Sequence, residues 1–260
     1  MIPRNFCSAL LVLLLGLSST ISLASSLSEK EQAMVAWIDA NQESAISLLA
    51  ETVNIGSGTM NHEGVRAVGR VMFNELDALG LATQWIEMPP EMNRAGHLFA
   101  RKEGTGKKLL LIGHLDTVFE SDDDFQAFTR TGNIATGPGI SDMKDGNAVI
   151  IYALKALQHI GALDDMSVTV AFTGDEEMTG KPLSISRKDL IEAGKWADIT
   201  LGFEGAITSE GSDWATIARR SSSGWTLKVT GRQAHSSGVF SDRVGAGAIN
   251  ETARILNTFY

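Results

Sequence analysis

Cysteine is nearly absent from this chain of 260 residues, Cys7 being the single one. It precedes an apolar stretch, Ala9 to Leu17, that follows the basic Arg4 and leads to Ser22-Leu23-Ala24, a small-x-small cleavage pattern. Residues 1–24 therefore read as a secretory signal peptide, which places the mature chain in the periplasm or outside the cell. Lying ahead of the apolar stretch, Cys7 is not placed for lipid attachment and leaves with the signal. Disulfides and thiol catalysis are thus excluded for the mature protein.

Long hydrophobic runs are missing as well. A spanning helix needs ~20 apolar residues and Ala9 to Leu17 supplies about half of that, so no membrane partner is expected once the signal is removed. Basic charge is also short: 22 Lys and Arg stand against 31 Asp and Glu, a formal net charge of −9. No basic stripe interrupts that background, so a small molecule rather than nucleic acid is the expected partner. There is no internal repeat or low-complexity segment. Gly56-Ser57-Gly58-Thr59 lacks the third glycine and the preceding strand of a dinucleotide fingerprint, and no Gly-Lys-Ser/Thr phosphate loop is present.

What is present is an apolar content of 43%, enough for one large domain or one and a half. Ser28 and Glu31 form a capping box ahead of Ala33, Met34, Trp37 and Ile38, which predicts a first helix. A second helical stripe runs through Ile46, Leu49 and Val53, and a third through Val65, Val68, Met72, Leu76 and Leu79 to a stop at Gly80. A strand is expected over Leu81 to Met88, then strands over His97 to Lys102 and Lys107 to Gly113 joined by a hairpin at Gly104-Thr105-Gly106. Leu109–Ile112, Val168–Phe172 and Ile199–Phe203 are apolar on both faces, as strands covered by helices on each side are. Helices over Asn147 to Ile160 and Leu183 to Ala193 separate them.

This alternation predicts an α/β fold, a mixed central sheet with helices on both faces over residues 25–212. Beyond it, strands over Trp214 to Arg219 and Trp225 to Thr230, and a helix over Val244 to Phe259 with Ile249, Ala253, Leu256 and Phe259 inward, predict the start of an α+β domain at 213–260.

Four polar signatures are each read as following an apolar run that predicts a buried strand: Gly113-His114-Leu115-Asp116, Gly137-Pro138-Gly139-Ile140-Ser141-Asp142-Met143-Lys144, Asp175-Glu176-Glu177 and Gly202-Phe203-Glu204. In open α/β sheets ligands collect outside the carboxyl ends of the strands. One histidine with carboxylates from several strand ends is what a two-metal site requires, because one carboxylate must bridge the ions while others complete each shell. His-x-Asp puts two side chains on one face of an extended segment, so Asp116 can accept the second ring proton of His114. The acidic run Asp122-Asp123-Asp124 reads instead as a solvated loop. His62, His97 and His159 match no pattern and receive no role.

Together, His114-x-Asp116, Gly137-Pro138-Gly139-x-x-Asp142-x-Lys144-x-Gly146, Asp175-Glu176-Glu177 and Glu204 resemble the M20 family of zinc peptidases, from about Glu29 to Tyr260. The resemblance implies a zinc-exopeptidase type of sheet, a lid and dimerisation domain, and a homodimer. Carried over by position, it implies two zinc ions bridged by Asp142, with His114 and Glu204 on one, Glu177 on the other, and Asp116 orienting His114. Glu176 would be the general base, taking a proton from a water between the ions and passing it to the leaving nitrogen. His235, in Gly231-Arg232-Gln233-Ala234-His235-Ser236, corresponds to the lid histidine that stabilises the oxyanion in the partner subunit's site. The peptide between Asp142 and Met143 would be cis.

The resemblance breaks in two places. The family's further histidine ligand lies beyond Tyr260 and its lid is longer than residues 213–260, so an N-terminal fragment is expected, with activity of these residues alone in doubt. Met178-Thr179-Gly180-Lys181-Pro182 departs from a Gly-Ser-rich continuation, which bears on substrate shape. The leading expectation is an exported dinuclear-zinc carboxypeptidase acting on a peptide or N-acyl amino acid, with glutamate the first candidate for release. The alternatives are an N-acyl-amino-acid deacylase or dipeptidase and, in another class, an inactive metal-binding or regulatory fragment.

Overall fold

The computed structural model describes residues 27–205, 207–218, 220 and 224–259. The signal peptide expected at residues 1–24 lies outside them. The chain divides into two compact units, Met1–Ala206 and Ile207–Tyr260.

In the first unit, α1 (Glu29–Val53) opens on the expected capping box: Ser28 Oγ accepts the Glu31 N–H at 3.3 Å and Glu31 Oε2 accepts the Ser28 N–H at 2.7 Å. The two stripes expected there belong to one helix, because no glycine or proline interrupts residues 29–53. Helix α2 (His62–Ala78) buries Val65, Val68, Met72 and Leu76 on one side. Gly80, at φ 77°, turns the chain into β1 (Ala82–Ile86), in a conformation that a side chain would oppose.

After β1 come β2 (His97–Lys102), β3 (Lys108–His114), and a small hairpin of β4 (Thr129–Thr131) and β5 (Ile134–Thr136). Then follow α3 (Asp145–His159), β6 (Ser167–Thr173), α4 (Leu183–Ser186), α5 (Lys188–Trp196) and β7 (Ile199–Gly202). The main sheet has the order β1-β2-β6-β3-β7. Strand β6 pairs antiparallel with β2 and parallel with β3, and β3 pairs parallel with β7.

The hairpin expected between β2 and β3 is therefore not formed, because β6 lies between them. The short connection instead crosses the start of β6, where Thr105 and Gly106 N–H both donate to the Asp165 carbonyl at 3.1 Å. A second correction concerns β7, expected as a buried central strand: it is an edge of this sheet, with Ile199 40% and Leu201 45% exposed.

Alternation along the strands divides the core in two. Leu98, Ala100, Leu111, Val168, Val170 and Phe172 face α2 and α3, with α1 packed outside α3. Phe99, Leu110 and Ala171 face Ala193 of α5. Helices thus cover both faces of a mixed sheet, as the sequence predicts. Each fully buried Leu or Phe contributes roughly 1.5–3 kcal/mol of transfer free energy. The single helix expected over Leu183 to Ala193 is interrupted at Arg187 (φ −111°, ψ 6°), whose side chain turns inward.

In the second unit, β8 (Ile207–Ser209) and β9 (Ser212–Trp214) pair around Glu210 and Gly211, both at positive φ. This turn places the strand pair earlier than expected. Of 214–219 only Trp214 is in a strand, Arg219 lies outside the described residues, and 225–230 forms no strand. Helix α6 (Gly247–Asn257) follows Gly245 and opens on Gly247, both at positive φ. Its expected inward residues Ile249, Ala253 and Leu256, with Phe259 beyond its end, are exposed, since an apolar helix face is buried only where a second layer lies against it.

Candidate metal centre

Parallel strands β3 and β6 end side by side, with His114 opposite Thr173 in the register. This places His114 beside the loop that carries Asp175, Glu176 and Glu177. Strand β7, parallel to β3, ends at the same edge and leads to Glu204. The fourth signature reaches this edge from the turn before α3.

Each position of that turn has a physical task. Gly139 is at φ 67°, and a Cβ on it would lie 2.3 Å from the Thr117 side chain. Asp142 follows, joined to Met143 by a cis peptide as the resemblance implies, and its Oδ1 stands 2.9 Å from His114 Nε2. Lys144 is fully buried, its Nζ donating to the Thr52 and Ile55 carbonyls at 2.9 and 3.0 Å, which ties the turn to the end of α1. Gly146 is needed because a Cβ there would meet the Phe203 carbonyl oxygen at 2.0 Å, so the chain leading to Glu204 can pass close by. Asn147 holds the backbone of His114 from beneath, Nδ2 to carbonyl at 2.6 Å.

His114 Nδ1 faces the backbone carbonyl of Asp116 at 2.9 Å, whereas the Asp116 carboxylate oxygen is 3.5 Å away. The ring proton expected to reach that carboxylate thus has the carbonyl as its nearer acceptor. The carboxylate, fully buried, serves the next loop instead: Oδ1 accepts the Glu176 N–H at 3.0 Å, while Oδ2 accepts the Glu177 N–H at 3.1 Å and the Thr59 hydroxyl at 2.7 Å. Asp116 therefore fixes the histidine and both glutamates by backbone and side chain together.

The electrostatics follow from this crowding. Burial alone would lower the pKa of His114, but the carboxylates of Asp116, Asp142 and Glu176 outweigh it and raise the value to about 9. Burial pushes Asp116 up, yet His114 and the Thr59 hydroxyl bring it below its ordinary value. Glu176 is raised by burial, with the charge of Glu204 adding to it against the pull of His114. Glu177 is raised to about 6 by burial and then by Asp142. Acids that repel one another around a single histidine make a site that favours a cation.

Ligand atoms of His114, Glu176 and Glu177 lie within 4.8 Å of one another, a group able to hold a metal ion. Imidazole nitrogen with carboxylate oxygens suits zinc and its transition-metal neighbours. The donor set therefore fits a metal.

Residues 110–253 match the profile of peptidase family M20/M25/M40. The chain belongs to this family. Among curated M20 relatives it is similar to carboxypeptidase G2 of Pseudomonas sp. (strain RS-16), 33% identical over 217 residues, covering 83% of this chain and 50% of that protein. It is also similar to succinyl-diaminopimelate desuccinylase of Delftia acidovorans, 27% identical over 64% of this chain and 45% of that one. The chain spans about half the length of the curated relatives it matches. Its fold is similar to that of human carnosine dipeptidase 1, with a TM-score of 0.56 at 19% identity, covering 66% of this chain and 40% of that one.

Within the first unit the structure brings together His114, Asp116, Asp142, Glu176 and Glu177, and Glu204 acts on Glu176 through its charge. His235 belongs to the second unit, exposed, with Nδ1 accepting the Ser237 N–H at 3.2 Å. Sequence reasoning missed Thr59, Asn147, Arg187 and the task of Lys144. It also left His97 without a role, although the ring is buried and bridges the Gly174 N–H and the Ser186 carbonyl. Thr59 carried one usable signal, its place in a glycine-rich cluster that fits no phosphate site.

Proposed function

We propose that this protein is an exported zinc-dependent amidohydrolase that releases a C-terminal amino acid, glutamate the first candidate, from a peptide or N-acyl substrate. The observation that carries this is the convergence of His114, Glu176 and Glu177 within 4.8 Å beside Asp142, at the carboxyl ends of two parallel strands. In this reading His114, Asp142, Glu177 and Glu204 would hold two zinc ions. Bound there, zinc would supply Lewis acidity towards a carbonyl and towards water at neutral pH.

The chain's own part is to hold the donors and move a proton. Glu176 is the more exposed of the two adjacent glutamates and its backbone is fixed on Asp116. With its proton affinity raised, it is suited to take a proton from water as the new C–O bond forms. It then delivers that proton to the amide nitrogen as the C–N bond breaks. His235 would stabilise the oxyanion across a homodimer.

Similarity to a desuccinylase favours a second reading within the same chemistry, removal of an acyl group from an N-acyl amino acid. Two measurements test the proposal: zinc per chain by elemental analysis, and hydrolysis of N-acyl glutamates beside N-succinyl and N-acetyl amino acids. The expected result is zinc uptake, preference for acyl glutamates, and retention of zinc with loss of turnover in Glu176→Gln. A chain that takes up no zinc overturns the metal reading, and unchanged turnover in the variant removes Glu176 as the base.

A further inference from the structure

Beneath Glu176 and Glu177 lies a second polar cluster to which no role has been assigned. Asp175 is fully buried, and its Oδ1 receives Arg187 Nη1 at 2.5 Å. Its Oδ2 receives the Gly180 N–H at 2.8 Å. Arg187 Nη2 donates to the Asp175 carbonyl and to Thr179 Oγ1, each at 3.1 Å, and Thr179 Oγ1 in turn donates to the Glu176 carbonyl at 3.1 Å. The Ser186 hydroxyl donates to the Gly180 carbonyl at 2.7 Å, closing the loop onto α4. His97 completes the base: Nδ1 accepts the Gly174 N–H at 3.1 Å, which leaves Nε2 to donate to the Ser186 carbonyl at 2.9 Å.

A buried carboxylate and guanidinium are costly unless their hydrogen bonds are met, and here, beside their bond to each other and one from Arg187 to the Ser186 carbonyl, the bonds that meet them fall on the backbone and hydroxyl groups of the loop 175–180. The fork of Arg187 reaches both ends of that loop, Asp175 and Thr179, with the two glutamates between. A lysine could supply the charge but not two separated donors in one plane. Asp116 holds those two glutamates through their N–H groups. The loop is thus held at the N–H groups of Glu176 and Glu177 by Asp116 and at its flanks, Asp175 and Thr179, by Arg187.

We propose that Arg187, through its pair with the buried Asp175 and its bond to Thr179, is a positioning residue that holds the loop carrying Glu176 and Glu177, and so places the Glu177 ligand at the metal position with Glu176 beside it. The proposal rests on the reading of His114, Asp142, Glu177 and Glu204 as the metal centre. Groups that orient ligands without touching the metal typically affect affinity about 10–100-fold.

The test is the Zn2+ dissociation constant, measured by chelator competition on the 260-residue chain and on Arg187→Met, Arg187→Lys and Thr179→Val, each checked for folding by circular dichroism. The expected result is affinity about 10–100-fold weaker in Arg187→Met, partial rescue in Arg187→Lys, and a several-fold loss in Thr179→Val at unchanged thermal midpoint. A folded Arg187→Met that binds Zn2+ as tightly as the parent overturns the proposal alone. If that variant does not fold, Thr179→Val decides: weaker binding supports the proposal and unchanged binding overturns it. A parent chain that takes up no Zn2+ overturns the metal reading, and this proposal with it.

Discussion

His114 Nε2 and Asp142 Oδ1 stand 2.9 Å apart although 28 positions separate the residues, and the other ring nitrogen faces a carbonyl at the same distance. With an acceptor on each side, both nitrogens must donate, so without a metal the ring carries a proton that a metal ion would replace.

Zinc uptake by the metal-free chain is therefore expected to release a proton at any pH below about 9. Titration calorimetry in buffers of different ionisation enthalpy reads this directly. Equal apparent enthalpies in all buffers at pH 7 would contradict it.

The same ring gives a stability prediction for the metal-free chain. The pKa of His114 is raised from 6.5 to about 9 in the fold, so its contribution is fully present below pH 6.5 and is lost as pH rises through 9. Urea unfolding is expected to show that loss, on the order of a few kcal/mol, and His114→Gln to flatten it.

Asp116→Asn should weaken Zn2+ binding about 10–100-fold, because an amide can accept from fewer of the Glu176, Glu177 and Thr59 donors that the carboxylate now satisfies. Chelator competition measures it. Unchanged affinity would mean that the glutamate backbone is held without Asp116.

Burial lowers the pKa of Lys144 from 10.5 to about 8. A depressed value means that its contribution is present above pH 10.5 and lost as pH falls through 8. Lys144→Met leaves the Thr52 and Ile55 carbonyls without this donor, a cost of roughly 1–3 kcal/mol. The parent's advantage over the variant, read by urea unfolding, should be larger at pH 10 than at pH 7.

Gly146→Ala should cost roughly 1–3 kcal/mol and weaken metal uptake together, since its new Cβ would push Phe203 and with it Glu204 away. A variant with parental thermal midpoint and parental Zn2+ affinity would remove Gly146 from the site's support.

The ends of the sheet strands were legible because a strand buried on both faces is written as an uninterrupted apolar run, and His114, Asp142, Glu176 and Glu177 follow such runs or a Gly-Pro-Gly turn. Arg187 was not, because its partner lies across a loop and nothing local distinguishes an inward arginine from a solvated one. Lys144 was hidden by the same rule, lysine being a surface residue unless carbonyls meet it. Order within the sheet was illegible for a different reason. The five residues between β2 and β3 suit a hairpin, and only the later arrival of β6 denies them one. In the second unit, apolar alternation at 225–230 predicted a strand where no described partner strand pairs with it.

That late arrival also governs how the molecule must be made. When β2 and β3 leave the ribosome, the strand that fills the gap between them, Ser167–Thr173, has yet to be synthesised. Until it inserts, each presents an unpaired edge, which is the form most open to mispairing. Insertion is a single non-local event of the kind that slows folding, and it also brings Thr173 beside His114 and delivers Asp175, Glu176 and Glu177. The chain therefore cannot acquire its metal-binding geometry before its sheet is complete, so an early, half-built intermediate has no competent centre with which to sequester metal.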